Sequence, residues 1–152
     1  MIGRLRQTLG RLGGAAALGD EPAKAPQAFD KSLLADLVNR FGGHGEIRYA
    51  EGKVIVREGQ AGVLVYVVLE GSVAISIQGK VVETIGPGGV FGEMAVIERT
   101  ARMASATAET DCMVLAIDNK MFLGLIRSSR RFAISLLSAV SERAKQVTAR
   151  YA

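Results

Sequence analysis

Between Glu46 and Ile117 apolar side chains recur on a period of two, in short runs that each end near a turn residue. The runs are 46–50, 53–58, 63–70, 72–78, 81–85 and 105–117, rich in Val, Ile and Ala. Their punctuation is Glu51-Gly52, Glu58-Gly59, Glu70-Gly71, Gln78-Gly79 and Gly86-Pro87-Gly88-Gly89. Alternation puts successive side chains on opposite faces of a strand, and glycine at the ends supplies the turns. Strands this short and this closely spaced predict an antiparallel roll or barrel, which hides its edges by folding the sheet over itself. No repeat of 20 to 50 residues interrupts the pattern.

The flanks are helical. Asp30 is placed to cap a helix running to about Phe41, with Leu33, Leu34, Leu37 and Val38 as its apolar stripe. After Asp118 the longer period returns, with Met121, Phe122, Leu125 and Ile126 on a short helix and a longer one starting at about Arg130. On the latter, Leu137, Val140, Ala144, Val147 and Tyr151 follow a three–four alternation, which fits either a two-helix seam or packing on the roll. Residues 13–28, rich in Gly, Ala and Pro, read as a linker. Residues 1–12 space Ile2, Leu5, Leu9 and Leu12 helically among arginines, a basic amphipathic piece suited to a partner or an anionic membrane surface. The fold class is therefore α+β: an antiparallel β-roll, jelly-roll-like, flanked by an N-terminal helix and C-terminal helices. The organisation is 1–28 as N-terminal segment and linker and 29–152 as one domain.

Composition excludes several functions. The 152 residues hold 49% apolar and 22% charged side chains, enough for one core. Nineteen basic against fifteen acidic groups leave +4, too modest by itself to mark a nucleic-acid binder. Cys112 is the only cysteine, so intrachain disulfides and thiolate metal clusters are out, and within CMVLAI it reads as a small packed strand residue. His44, the only histidine, lies in GGHG with no companion ligand. The longest apolar run, Val63 to Leu69, falls far short of the roughly 18 residues of a membrane helix. Arg4, Arg6 and Arg11 before LGGAAAL echo a signal peptide, but glycines dilute the apolar part and Asp20, Glu21 and Lys24 crowd the cleavage region. The expected location is the cytoplasm.

One stretch looks built for a ligand: FGEMAVIERTARMASA, Phe91 to Ala106. Gly92 and Glu93 open a short apolar run, and Arg102 follows nine residues after the carboxylate. A glycine before a helical turn frees backbone N–H groups for an anion, a guanidinium grips phosphate through parallel hydrogen bonds, and a carboxylate accepts from sugar hydroxyls. The plainer alternative is that Gly-Glu caps a helix and Arg102 only pairs with Glu93.

This stretch resembles the phosphate-binding cassette of the cyclic-nucleotide-binding domain family. EGKVIVREGQAG, VYVVLEGSVAIS and VETIGPGGVFGEMA resemble that family's strands and turns in order and spacing, and the likeness runs over about residues 30–150. The resemblance implies that Glu93 accepts the ribose 2′-hydroxyl, that Gly92 and Met94 offer amides, and that Arg102 neutralises the cyclic phosphate. It further implies that Met103 and Ala104 continue the pocket and that Arg143, Val147 and Thr148 approach the ligand from the last helix. Met103 departs from the Ser, Thr or Ala usual after the arginine, and loss of that hydroxyl favours cyclic AMP over cyclic GMP. Val147 stands where transcription activators of this family carry a base-contacting threonine, so the base rests more on apolar packing. Those activators continue into a DNA-reading motif; with the chain stopping at Ala152, no direct DNA binding is expected. The resemblance therefore implies a non-enzymatic stand-alone sensor, with no metal and no cofactor beyond its ligand. It signals by closure of its last helix to a separate downstream protein, and a homodimer through that helix is expected. The alternatives are a nucleotide-independent interaction module on the same fold and a phosphate-ester hydrolase, for which no general base is evident.

Overall fold

In the computed structural model, residues 22–41, 43, 45–93 and 101–151 are described, the last five by their backbone alone. His44, Met94 and the amphipathic stretch 1–12 lie outside the described residues. Two sheets face one another. One has the order β1-β6-β5-β8-β3, from β1 (Ala23–Lys24), β3 (Val54–Val56), β5 (Val73–Ile77), β6 (Lys80–Ile85) and β8 (Ser105–Ala108). The other runs β2-β9-β4-β7, from β2 (Glu46–Tyr49), β4 (Leu64–Glu70), β7 (Val90–Phe91) and β9 (Cys112–Asp118). All pairings are antiparallel except β1 with β6. The expected roll is present.

Three helices among the described residues cover the second sheet's outer face: α1 (Lys31–Phe41), α2 (Asn119–Ser128) and α3 (Arg130–Tyr151). Asp30 caps α1, its Oδ1 accepting from the Leu33 N–H at 2.8 Å. Asp118 does the same for α2, accepting from Met121. Phe29 stacks on Phe132 at 5.0 Å, and Phe122 meets Phe132 edge-on at 5.9 Å. These rings, with Leu37, Val65, Leu115 and Ile117, tie the helices to the sheet. A second cluster, including Val68, Val73, Ile85, Ala106 and Val114, fills the space between the sheets. Each fully buried aliphatic or aromatic side chain contributes about 1.5–3 kcal/mol.

Three sequence expectations change. Part of the presumed linker is built into the roll: Ala23 and Lys24 form β1, and the amides of Ala28 and Phe29 donate to the Gly88 carbonyl. The run 105–117 is two strands, because Glu109, Thr110 and Asp111 turn the chain between them. Of the α3 seam, Val140 packs towards the core while Leu137 is 62% exposed. The face of α3 that is buried runs instead through Phe132, Leu136, Ala139 and Arg143.

Candidate functional site

β7 delivers the chain to Gly92 at a φ of +84°, a conformation that side-chain-bearing residues rarely adopt. A Cβ there would stand 2.6 Å from Arg102 Nη1, so glycine is also needed for the arginine to approach. Gly62 faces the same guanidinium from the other side, and a Cβ on it would overlap Arg102 Nε and Nη2. Between these glycines Arg102 is 6% exposed. Nη1 donates to the Gly92 carbonyl at 3.0 Å and Nη2 to the Leu64 carbonyl at 2.9 Å. Its backbone is pinned to the turn before β4: the Arg102 N–H donates to the Gln60 carbonyl and the Gly59 N–H to the Arg102 carbonyl. Burial lowers the Arg102 pKa, with Tyr66 and Glu93 pulling it back.

The pairing of Arg102 with Glu93, the plainer alternative for this stretch, is not what forms among the described residues. Glu93, 2% exposed, receives Arg143 Nη1 at 2.7 Å from across the cleft. Arg143 Nη2 donates to the Val90 carbonyl at 2.9 Å, and Nε lies 3.0 Å from Glu83 Oε2. That last contact is an ion pair without hydrogen-bond alignment, because Nε remains a buried donor with no partner. Burial opposes the charge on Arg143, but the two carboxylates outweigh it and raise its pKa. Burial pushes the Glu83 carboxyl up, only partly countered by Arg143. A row of alternating charge results, running Arg102, Glu93, Arg143, Glu83.

Gly92, Glu93, Arg102, Met103, Ala104 and Arg143 all line one cleft, together with Val56, Ile75, Ile77, Val82, Glu83, Phe91 and Ala106. The cleft is partly open to solvent, and most of its lining is apolar. Met94 lies outside the described residues; Val147 and Thr148 lie on α3, their side chains outside the description. Glu83 is the residue the sequence reading missed. Along β6, Ile75 pairs with Glu83 but Ser76 with Val81, so Val82 is an extra residue. This bulge breaks the period of two and lets both Val82 and Glu83 face the cleft. A lone acid among valines was the only available signal.

Comparison with known proteins identifies the family. The match to the cyclic nucleotide-binding domain spans residues 46–129, more than half of the chain. The chain belongs to the cyclic nucleotide-binding domain family. It is 35% identical over 79 residues, 52% of its length, to a cAMP-dependent protein kinase regulatory subunit of Eremothecium gossypii. It is 33% identical over 117 residues, 73% of its length, to the cGMP-dependent protein kinase egl-4 of Caenorhabditis briggsae. The chain spans only 17% and 15% of those two relatives. Among solved structures, the catabolite activator protein of Thermus thermophilus matches 79% of this chain and 57% of its own, with a TM-score of 0.65 and 27% identity. No helix among the described residues is long and apolar enough to cross a membrane, and no cluster of groups there is arranged for a metal.

Proposed function

We propose that this chain is a cyclic-nucleotide sensor without catalysis of its own, acting in the cytoplasm and passing its state to a downstream partner. One observation carries the reading: the buried Arg143–Glu93 pair joins α3 to the carboxylate that the family uses for the ribose. In this reading Arg102 takes the cyclic phosphate, Glu93 the 2′-hydroxyl, and Gly92 and Met94 offer amides. Met103, Ala104, Val147 and Thr148 complete the pocket, and Met103 favours cAMP. The named cAMP and cGMP dependence of the kinase relatives supports the ligand class. Signalling is a population shift, in which nucleotide favours the arrangement of cassette and α3 that it binds best.

A second reading has its own support. Arg102 and Glu93 already hold internal partners, as they would in an interaction module that kept the fold and gave up the ligand. Calorimetry with cAMP and cGMP on wild type and Arg102→Ala separates the two. Heat from wild type, lost tenfold to a hundredfold in the variant, is expected for the sensor. Silence from wild type with both nucleotides favours the module. If nucleotide binds without changing hydrogen-exchange protection over residues 130–150, coupling through α3 is wrong.

A further inference from the structure

The apolar contacts of α3 lead to the second sheet: Phe132, Leu136 and Ala139 share one cluster with Val65, Leu115 and Ile117. Its buried charge also leads to the first. Arg143 reaches Val90 and Glu93 at β7 and the cassette, and its Nε lies 3.0 Å from Glu83 Oε2 on β6. One guanidinium thus joins the helix to both sheets. The charges there do not balance. Arg143 brings a single positive charge, which Glu93 alone would neutralise. Glu83 is a second carboxylate, only 14% exposed, in a wall that includes Val82, Ile75 and Ile77. Burying a charge that the pair does not need costs stability, so Glu83 calls for another role.

Its backbone suits it to be a fixed point. At the bulge Glu83 is paired on both edges, with Ile75 of β5 and with Ala23 of β1. Glu93, in contrast, has two duties in the nucleotide reading, since the same carboxylate must accept from Arg143 and from the ribose. We propose that Glu83 is a positioning residue, which holds Arg143 and with it α3 against the first sheet. Glu93 can then serve a ligand without releasing the helix. Only this last step rests on the nucleotide reading above; the hold on α3 does not.

The test is hydrogen exchange on the full chain, wild type against Glu83→Gln, without nucleotide and with saturating cAMP. The substitution keeps the size of the side chain and removes its charge. Protection of amides 140–151 is expected to fall about tenfold in the variant, with β4 and β9 unchanged. The fall should persist with cAMP bound, because Glu83 and the ligand hold the helix by separate contacts. Unchanged protection over 140–151 overturns the inference, and so does an equal loss across β4 and β9, which would mark a merely structural role. A fall that cAMP abolishes also overturns it, since the ligand would then replace Glu83 as the anchor. If wild type binds neither cAMP nor cGMP but Glu83→Gln still loosens 140–151, the anchor is supported and the nucleotide reading fails.

Discussion

The two ends of the cleft each hold a buried arginine, and they are satisfied in opposite ways. Arg102 is held by the carbonyls of Gly92 and Leu64, which orient it but leave its charge unneutralised among the described residues. Arg143 sits between two carboxylates, Glu93 and Glu83, so its surroundings carry a net negative charge. One end therefore invites an anion and the other invites neutral hydrogen-bond donors. A cyclic nucleotide has that polarity: phosphate at one end, hydroxyl and amino hydrogens towards the other. The contrast also separates roles. Removing Arg102 exposes two carbonyls, whereas removing Arg143 leaves two carboxylates buried together.

The largest effect is expected at Arg143. Deleting one partner of a buried ion pair costs about 3–5 kcal/mol, and Arg143→Ala should lose that much in urea denaturation. A loss below about 1 kcal/mol would mean that water reaches Glu83 and Glu93 freely, and the contrast between the ends would collapse. Arg102→Ala comes next. It should lower nucleotide affinity tenfold to a hundredfold while costing far less stability than Arg143→Ala, since only neutral carbonyls lose partners. If the two variants destabilise equally, the ends are not different in kind.

A third, smaller effect is in pH. Burial raises the folded pKa of Glu83 above its ordinary 4.5. The unfolded chain then releases this proton first, and the folded state binds more protons across the interval between the two values. Stability from this group is complete below pH 4.5 and is lost as pH rises through the raised folded value. Thermal melts of wild type against Glu83→Gln across that interval should show the decline in wild type and its loss in the variant.

Most of the scaffold is legible in the sequence, because hydrophobic period and caps are local signals. Asp30, Asp118 and the restart at Arg130 sit where their side-chain chemistry places them. The residues named for the site, as far as they are described, also converge: Gly92, Glu93, Arg102, Met103, Ala104 and Arg143 share one cleft. What escaped was non-local. β1 is two residues of Ala and Lys, with no apolar rhythm, and exists only because β6 offers it an edge. Glu83 looks like a solvent-facing acid until the bulge at Val82 turns it inward to meet Arg143, sixty positions away.

The smallest expected effect probes the far side of α3. Ile134 and Leu137 are 56% and 62% exposed, while Phe132, Leu136 and Ala139 pack inward. For a monomer, Leu137→Ser changes only an exposed contact, and stability should move by no more than about 0.5 kcal/mol at any protein concentration. If two copies pair along this face, wild type should melt higher as concentration rises, because association stabilises by mass action. Leu137→Ser should then remove that dependence while leaving the dilute melting temperature in place. The measurement is a melt over a hundredfold range of concentration, beside sedimentation of both proteins. A concentration dependence that survives the substitution would put any pairing elsewhere than Leu137. Since Arg143 lies on the opposite, buried stripe of the same helix, nucleotide affinity in Leu137→Ser also tests whether the two faces communicate. Unchanged affinity means that the cleft is complete within one chain.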